Sequence, residues 1–339
     1  MPQPERRLNA NLADLSTFGL TARTAELVFL DHLDQLPELT LRPPVMVLGG
    51  GSNTVFLADW PGTVLVNRLR GIEVEQRGEQ TSRVRVAAGE NWHRLVRWSM
   101  DHGLHGLENL VMIPGSVGAA PIQNIGAYGV ELAERLESVT VWEWSSARLR
   151  ELPAADCNFG YRASRFRDRD RGRFLVTAIT LVLDHAFFPR LEYRSLAEAL
   201  GRGHRGQAPG PRQVAAAVMR LRRHRLPDPA RLANAGSFFK NPQVPATVAA
   251  RLLAANPDLP HWPQPDGQVK LAAGWMIEQL DWKGQSIGQA AVYHRHALVL
   301  TNRGGATAAQ LGQLIDAITT SVQQQFGVVL EPEPILVGR

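Results

Sequence analysis

Residues 113–129 read IPGSVGAAPIQNIGAYG, a run of small residues, prolines and side-chain amides with neither a helical nor a strand apolar period. Seventeen residues without regular structure are uncommon in a compact domain unless they bind or gate. The glycines permit positive φ and close backbone approach, while Gln123 and Asn124 offer paired donors and acceptors for a heterocycle edge or a pyrophosphate. The segment is therefore expected to wrap a ligand.

A second glycine run, Leu48-Gly49-Gly50-Gly51-Ser52-Asn53, follows an apolar strand upstream. Missing Cβ atoms let backbone N–H groups approach an anion there. It does not match G-x-G-x-x-G, and no Lys-Ser/Thr follows to make a P-loop, so it serves either as a phosphate cradle or as a tight turn.

Outward from these runs, β-rich stretches are expected at 26–30, 45–48, 63–69, 84–88, 139–144 and 174–183. A short helix is expected at 31–38, and Trp92, Leu95, Val96 and Met100 give 91–102 a helical stripe. The Gly/Pro/Arg-rich stretch 201–212 has the composition of a domain connection. Beyond it Val214, Ala217, Val218 and Leu221 mark a helix over 213–225, stopped by Pro227 and Pro229. Helices at 245–255 and 271–280 and a strand at 290–301 precede a capping box, Thr307 to Gln310. That box opens a helix with the stripe Leu311, Leu314, Ile315, Ile318 and Val322. The pattern predicts an α/β or α+β region whose sheet outweighs its helices, then a smaller α/β domain.

The 339 residues are 44% hydrophobic and 20% charged, an ordinary globular composition that excludes wholesale disorder. No stretch approaches the roughly 20 apolar residues of a membrane span, and residues 1–10 lack the apolar run of a secretory signal, so a cytoplasmic protein is expected. Cys157 is the only cysteine, which excludes an internal disulfide and any cysteine-built zinc or iron–sulfur site; it reads as a buried structural thiol. His93, His294 and His296 have no metal-ligand spacing, and no metal is expected. The net charge of +5 suits an anionic small substrate as well as a polynucleotide, and no heptad asks for a partner, so a monomer is expected.

Three places set polar groups among apolar or small residues. Arg162 follows Phe159-Gly160-Tyr161 and either points inward or joins the alternating Arg/Asp edge at 165–173, which reads as solvated. Ser237, in NAGSFFKNP, is no nucleophile elbow but suits a proton donor or a ligand anchor. In LEPEP, Glu331 and Glu333 are rigidified carboxylates that face one way if extended, or else lie on the surface.

STFG (16–19), LGGGSN (48–53), GLENLVMIPGSVGAAPIQNIGAYG (106–129), FGYR (159–162), NAGSFFKNP (234–242), KLAAGWMIE (270–278), HALVLTN (296–302) and LEPE (330–333) occur in one order. In these motifs the chain resembles the UDP-N-acetylenolpyruvoylglucosamine reductase family of bacterial peptidoglycan synthesis, in the type with a Tyr-bearing lid loop. The resemblance implies a VAO/PCMH-type FAD-binding unit of two α+β subdomains, about residues 20–187, followed by a smaller α/β substrate-binding domain. The implied divisions are 1–70 and 71–212 for the FAD subdomains, 213–330 for the substrate domain, and 331–339 for a tail bearing a catalytic Glu.

By resemblance FAD is held by Gly49, Gly50, Gly51, Ser52 and Asn53, and by Pro114, Gly115, Ser116, Gly118, Ala119, Gln123, Asn124, Ile125 and Gly126. Hydride passes from NADPH to FAD and on to UDP-N-acetylglucosamine-enolpyruvate, giving UDP-N-acetylmuramate. Ser237 is the implied proton donor, with Arg162 and Glu333 polarising the substrate carboxylate. Substrate contacts fall on Tyr128, Tyr161, Tyr193, Arg222, Arg225, Lys240, Asn241 and His296. Arg225 stands where close relatives have lysine, and His296 where some have glutamine, a change expected to make substrate affinity depend on pH. The resemblance implies no nucleic-acid or membrane partner. Two other readings are a different PCMH-type flavin oxidoreductase and, outside enzymes, a nucleic-acid binder resting on the arginines of 165–173 and 202–225.

Overall fold

The computed structural model describes residues 3–201 and 208–339, so part of the Gly/Pro/Arg-rich connection, 202–207, lies outside the described residues. Two compact units form. The first comprises Met1–Ala10, Thr24–Gly50 and Pro61–His224; the second comprises Asn11–Arg23, Gly51–Trp60 and Arg225–Arg339.

The first unit holds two sheets. One orders its strands Arg6–Asn11, Arg23–Leu30, Trp60–Asn67 and Val45–Leu48, the last pair parallel. The other orders Arg148–Pro153, Leu136–Glu143, Phe174–Asp184, Thr81–Ala87 and Ile72–Arg77, antiparallel throughout. Thr81–Ala87 alternates strictly, burying Ser82, Val84 and Val86, as a strand with one core face must. Central Phe174–Asp184 is buried along most of its length and reads as a continuous apolar run. The helix Trp92–Asp101 starts where the Asn91 side chain accepts the Arg94 N–H at 3.0 Å, and it buries Trp92, Leu95 and Val96. The helix Pro211–Arg225 opens on a proline, whose missing N–H costs nothing at that position.

Val214, Ala215, Ala217 and Val218 of that helix join the same buried cluster as Val84 and Val86. The chain therefore divides after His224, not at the connection around 212. Residues 11–23 and 51–60 likewise belong with the second unit, because Phe18, Leu20 and Val55 enter its core.

In the second unit a sheet orders Ala233–Ser237, Val299–Asn302, Ala290–Val292 and Ser286–Ile287. Against it lies the helix Ala308–Phe326, opened by the expected box, with Thr307 and Gln310 exchanging side-chain-to-backbone bonds of 3.2 Å, and closed by left-handed Gly327. Its whole expected stripe is buried. A three-stranded sheet, Gln243–Pro245, Gln268–Leu271 and His261–Pro263, accompanies the helices Ala246–Ala255 and Ala273–Gln279. Ile335–Val337 pairs in parallel with Thr54–Phe56.

Four stretches differ from expectation. The helix at 31–38 shrinks to a 3-10 turn, Leu33–Gln35, because the Gln35 side chain accepts the N–H groups of Asp31 and His32 and Pro37 has no N–H to extend it. The run 113–129 contains a 3-10 segment, Val117–Ile122, and a two-residue ladder, Gly126–Ala127 with Val130–Glu131. The strand at 290–301 breaks at a turn in which Tyr293 donates to the Val299 carbonyl at 2.8 Å. In the Arg/Asp edge, Arg169 and Arg171 are solvated, but Arg165 is mostly buried and bonds Asp170 at 2.6 Å, and half-exposed Arg173 forks onto buried Glu143. Cys157 is buried as expected, and burial pushes its thiol up to about 11.

Glu143 accepts from Arg173 at 3.0 and 2.7 Å, from Ser146 at 2.9 Å and from Arg150 at 3.1 Å. These donors, Arg173 foremost, hold its carboxyl down at about 2. A depressed carboxylate stabilises the fold fully above its ordinary value of 4.5 and loses that contribution as pH falls through 2. Urea denaturation against pH should show a steeper acid limb in this protein than in Glu143→Gln; identical limbs would remove Glu143 from the account.

Candidate active site

The two glycine runs meet in the first unit. A Cβ on Gly49 would stand 2.2 Å from Ser116 Oγ, and one on Gly50 would stand 2.8 Å from the Gly115 Cα. A Cβ on Gly118 would stand 2.5 Å from that of Ala88. The second loop is pinned by bonds from Val117 N–H to Glu90 O at 2.8 Å, Gly118 N–H to Ala88 O at 2.8 Å and Trp92 N–H to Gly115 O at 3.1 Å. Ser116 Oγ is buried and has no hydrogen-bond partner among the described residues. Leaving such a hydroxyl unsatisfied costs about 1–3 kcal/mol, so a bound acceptor or donor belongs beside it. A narrow glycine-walled cleft with an orphan hydroxyl fits the diphosphate of a dinucleotide cofactor.

Four other residues of these runs make contacts within the protein. Gly51, at φ +63, belongs to the second unit, where a Cβ would meet the Leu15 carbonyl oxygen at 1.8 Å. It makes the tight turn that the cradle reading left open. Asn53 donates to the Glu333 carbonyl at 3.4 Å and accepts the Ile335 N–H at 2.9 Å. Gln123 accepts from Arg167 at 2.9 Å. Asn124, buried at φ +47, donates to Glu131 at 2.7 Å and to Gly160 O at 3.2 Å and accepts the Ala133 N–H at 3.0 Å, so its side chain is turned into the protein.

Asn124 thereby ties the loop to the turn that carries Arg162. Gly160 and Ala163 exchange backbone bonds of 3.2 Å around Tyr161 and Arg162, forcing Arg162 to φ +55. Holding a non-glycine residue there costs on the order of 1 kcal/mol, offset by the contacts of its side chain. Arg162 points inward: its guanidinium lies 5.4 Å from the Tyr161 ring centre and donates to Gly126 O at 3.2 Å. Arg222 sits near enough that burial and the Arg162 charge hold it below its ordinary value, opposed by Tyr128. The Tyr128 ring meets Tyr193 edge-on at 5.3 Å.

In the second unit Ser237 stands at a bulge. The register of Ala233–Ser237 shifts between Asn234 and Ser237, with Gly236 at φ +73 and its N–H held by the Asn234 side chain at 2.9 Å. Phe238 and Phe239, both fully buried, anchor the next residues. The tail runs antiparallel alongside: Glu333 N–H donates to Phe238 O at 2.8 Å and Lys240 N–H to Glu331 O at 2.9 Å. Glu333 is thus fastened by its backbone opposite Phe238, the residue after Ser237, and is half-buried, whereas Glu331 is 71% exposed and pairs with Lys240 at 3.1 Å. Asn241 accepts the Ala273 N–H at 3.1 Å and so braces the helix Ala273–Gln279. His296 accepts the Leu298 N–H on Nδ1 at 3.2 Å; burial, then the Arg225 charge, lowers its pKa. Among the described residues no cluster of metal-binding side chains occurs.

A family model described as an FAD binding domain matches residues 41–151, and one described as the C-terminal domain of UDP-N-acetylenolpyruvoylglucosamine reductase matches 228–337. With the geometry above, they define an FAD-dependent oxidoreductase whose cofactor unit is α+β. The reductase of that name from Burkholderia ambifaria is 47% identical over 96% of this chain and 95% of its own. That from Azoarcus sp. is 47% identical over 97% of both. The crystal structure of the enzyme from Thermus caldophilus superposes with a TM-score of 0.66 at 26% identity, covering 99% of each chain. The chain belongs to the UDP-N-acetylenolpyruvoylglucosamine reductase family.

The Gly50 cradle gives a direct check. Gly50→Ala forces a Cβ onto backbone, which has no flexible end to give, and should weaken FAD retention by about tenfold or more while leaving the circular-dichroism spectrum intact. Gly312→Ala, with open space around it, should keep the bound flavin absorbance.

Proposed function

We propose that this protein reduces the enolpyruvyl group of UDP-N-acetylglucosamine-enolpyruvate to UDP-N-acetylmuramate at the expense of NADPH, a step in peptidoglycan precursor synthesis. The observation that supports this reading is the tail ladder that fastens Glu333 opposite Phe238, the residue after Ser237, in a chain nearly half identical to reductases of that name. Gly49, Gly50, Gly115, Ser116, Gly118 and Ala119 would hold the FAD diphosphate. FAD, when bound, supplies the redox chemistry that links NADPH oxidation to reduction of the substrate double bond.

Reduction at the methylene carbon builds negative charge at the carbon next to the carboxylate. Arg162 offers that carboxylate a cationic fork, and Glu333 shares in polarising it. Both stabilise charge where it develops. Ser237 delivers the proton to the carbon bearing it. Its hydroxyl is positioned by the bulge at Gly236, which leaves Ser237 out of the regular register of the strand. Arg222, Arg225 and Lys240 are the cations for the diphosphate, with Tyr128, Tyr161, Tyr193 and Asn241 around the rest of the nucleotide sugar.

We take the protein to work as a cytoplasmic monomer without nucleic-acid or membrane partners. Among the described residues no helix is long and apolar enough to cross a membrane. Arg165 and Arg173 of the edge proposed for polynucleotide binding are engaged by Asp170 and Glu143, which supports the small anionic substrate.

Anaerobic addition of NADPH should bleach the flavin, and the enolpyruvyl sugar should restore its colour; a protein that bleaches without recovery contradicts the proposed substrate. In Ser237→Ala bleaching should persist while recovery slows by about 10²–10⁴-fold. Equal loss in both halves would count against a proton-donor role. His296 has its Nδ1 occupied as an acceptor and its pKa lowered, so it is neutral above its ordinary value of 6.5 and takes up a proton only below it. The KM for the sugar in this protein and in His296→Gln should therefore keep a constant ratio above pH 6.5 and diverge on the acid side.

A further inference from the structure

Asn109 lies in the run GLENL, which sequence reasoning passes over on its way to the glycine loop. It is 4% exposed, and its side-chain amide makes two strong bonds, to Tyr128 O at 2.8 Å and to Arg190 O at 2.9 Å. One planar NH₂ thus uses both protons to lock together two backbone segments that are distant in sequence. The first carries Tyr128, held at φ +51, and the second leads into Tyr193. Tyr193 O in turn accepts the N–H groups of Leu196 and Ala197 at the start of the helix Arg194–Gly201. The two rings meet edge-on at 5.3 Å, and a Cβ on Gly129 would stand 3.9 Å from that of Tyr193. The same segment also packs Phe187 and Leu191 on the core, and its ion pair, Arg190 to Glu134 at 2.9 Å, is solvent-exposed and weak by comparison.

We infer that Asn109 is a positioning residue for substrate binding: its forked amide sets the Tyr128–Tyr193 pair, and through that pair the affinity for the nucleotide sugar. Its effect on affinity rests on the substrate reading proposed above. Neither FAD retention nor reaction with NADPH depends on it.

The test is Asn109→Asp, which keeps size and shape but turns a lone-pair oxygen toward two carbonyls in place of two protons. Three quantities are read on the FAD-loaded protein: the rate of flavin bleaching by NADPH, the KM for the enolpyruvyl sugar, and hydrogen–deuterium exchange of residues 126–130 and 187–193. The expected result is bleaching within about twofold of the parent, KM raised by about tenfold or more, and faster exchange confined to those two segments. An unchanged KM, unchanged exchange at 187–193, or a matching loss in bleaching would overturn the inference. If Asn109→Asp does not fold, Asn109→Ser, whose hydroxyl donates one proton instead of two, is read in the same way. Should the parent protein fail to turn over the enolpyruvyl sugar, the substrate reading falls by itself, and exchange still decides whether Asn109 holds the tyrosine pair.

Discussion

Everything in the first unit is arranged around the approach of two backbones. Gly49 and Gly50 lie against Gly115 and Ser116 so closely that no Cβ fits between them. Such an approach needs both loops held rigidly from behind. The bonds of Val117 and Gly118 to Glu90 and Ala88 do this for one loop, and the parallel pairing of Val45–Leu48 does it for the other. The unsatisfied hydroxyl at Ser116 is the kind of buried group whose cost a bound ligand would offset.

The second unit solves a different problem, which is to fasten the tail that carries Glu333 along the residues that follow Ser237, a frame assembled from distant stretches of chain. Ser237 gains its position from a bulge, and Glu333 from a tail stitched to Phe238 on one side and Asn53 on the other. The prolines flanking Glu333 limit the backbone freedom of that tail. Glu331, two residues earlier, occupies the exposed side with Lys240, so one dipeptide repeat yields one half-buried and one exposed carboxylate.

Much of this was legible in the residues. Strong periods located the helix Ala308–Phe326 and its capping box, and β-rich runs located six strands of the first unit's two sheets but not Arg6–Asn11, Ile72–Arg77 or Arg148–Pro153. Resemblance, not periodicity, brought Arg162, Ser237 and Glu333 forward as candidates. What stayed hidden was tertiary. Nothing local says that helix Pro211–Arg225 packs on the first unit, or that Gly51 turns against Leu15 while its neighbours Gly49 and Gly50 face Ser116 and Gly115. The inward turn of Asn124 and the fork of Asn109 were equally invisible, since a buried amide declares its partners only once the fold brings them within reach. His296 is the converse case: sequence suggested a pH-sensitive cation, but burial and a neighbouring arginine favour the neutral ring.

The parallel ladder between Thr54–Phe56 and Ile335–Val337, with Asn53 reaching Glu333 across 280 residues of chain, also has a temporal side. At bacterial synthesis rates a ribosome needs on the order of tens of seconds to make that much chain. During that interval Thr54–Phe56, all buried in the finished fold, waits without its partner strand. The nascent protein thus passes through a period when the strands of its first unit are already made while a buried apolar edge of the second remains open, the condition under which chaperones engage a growing chain.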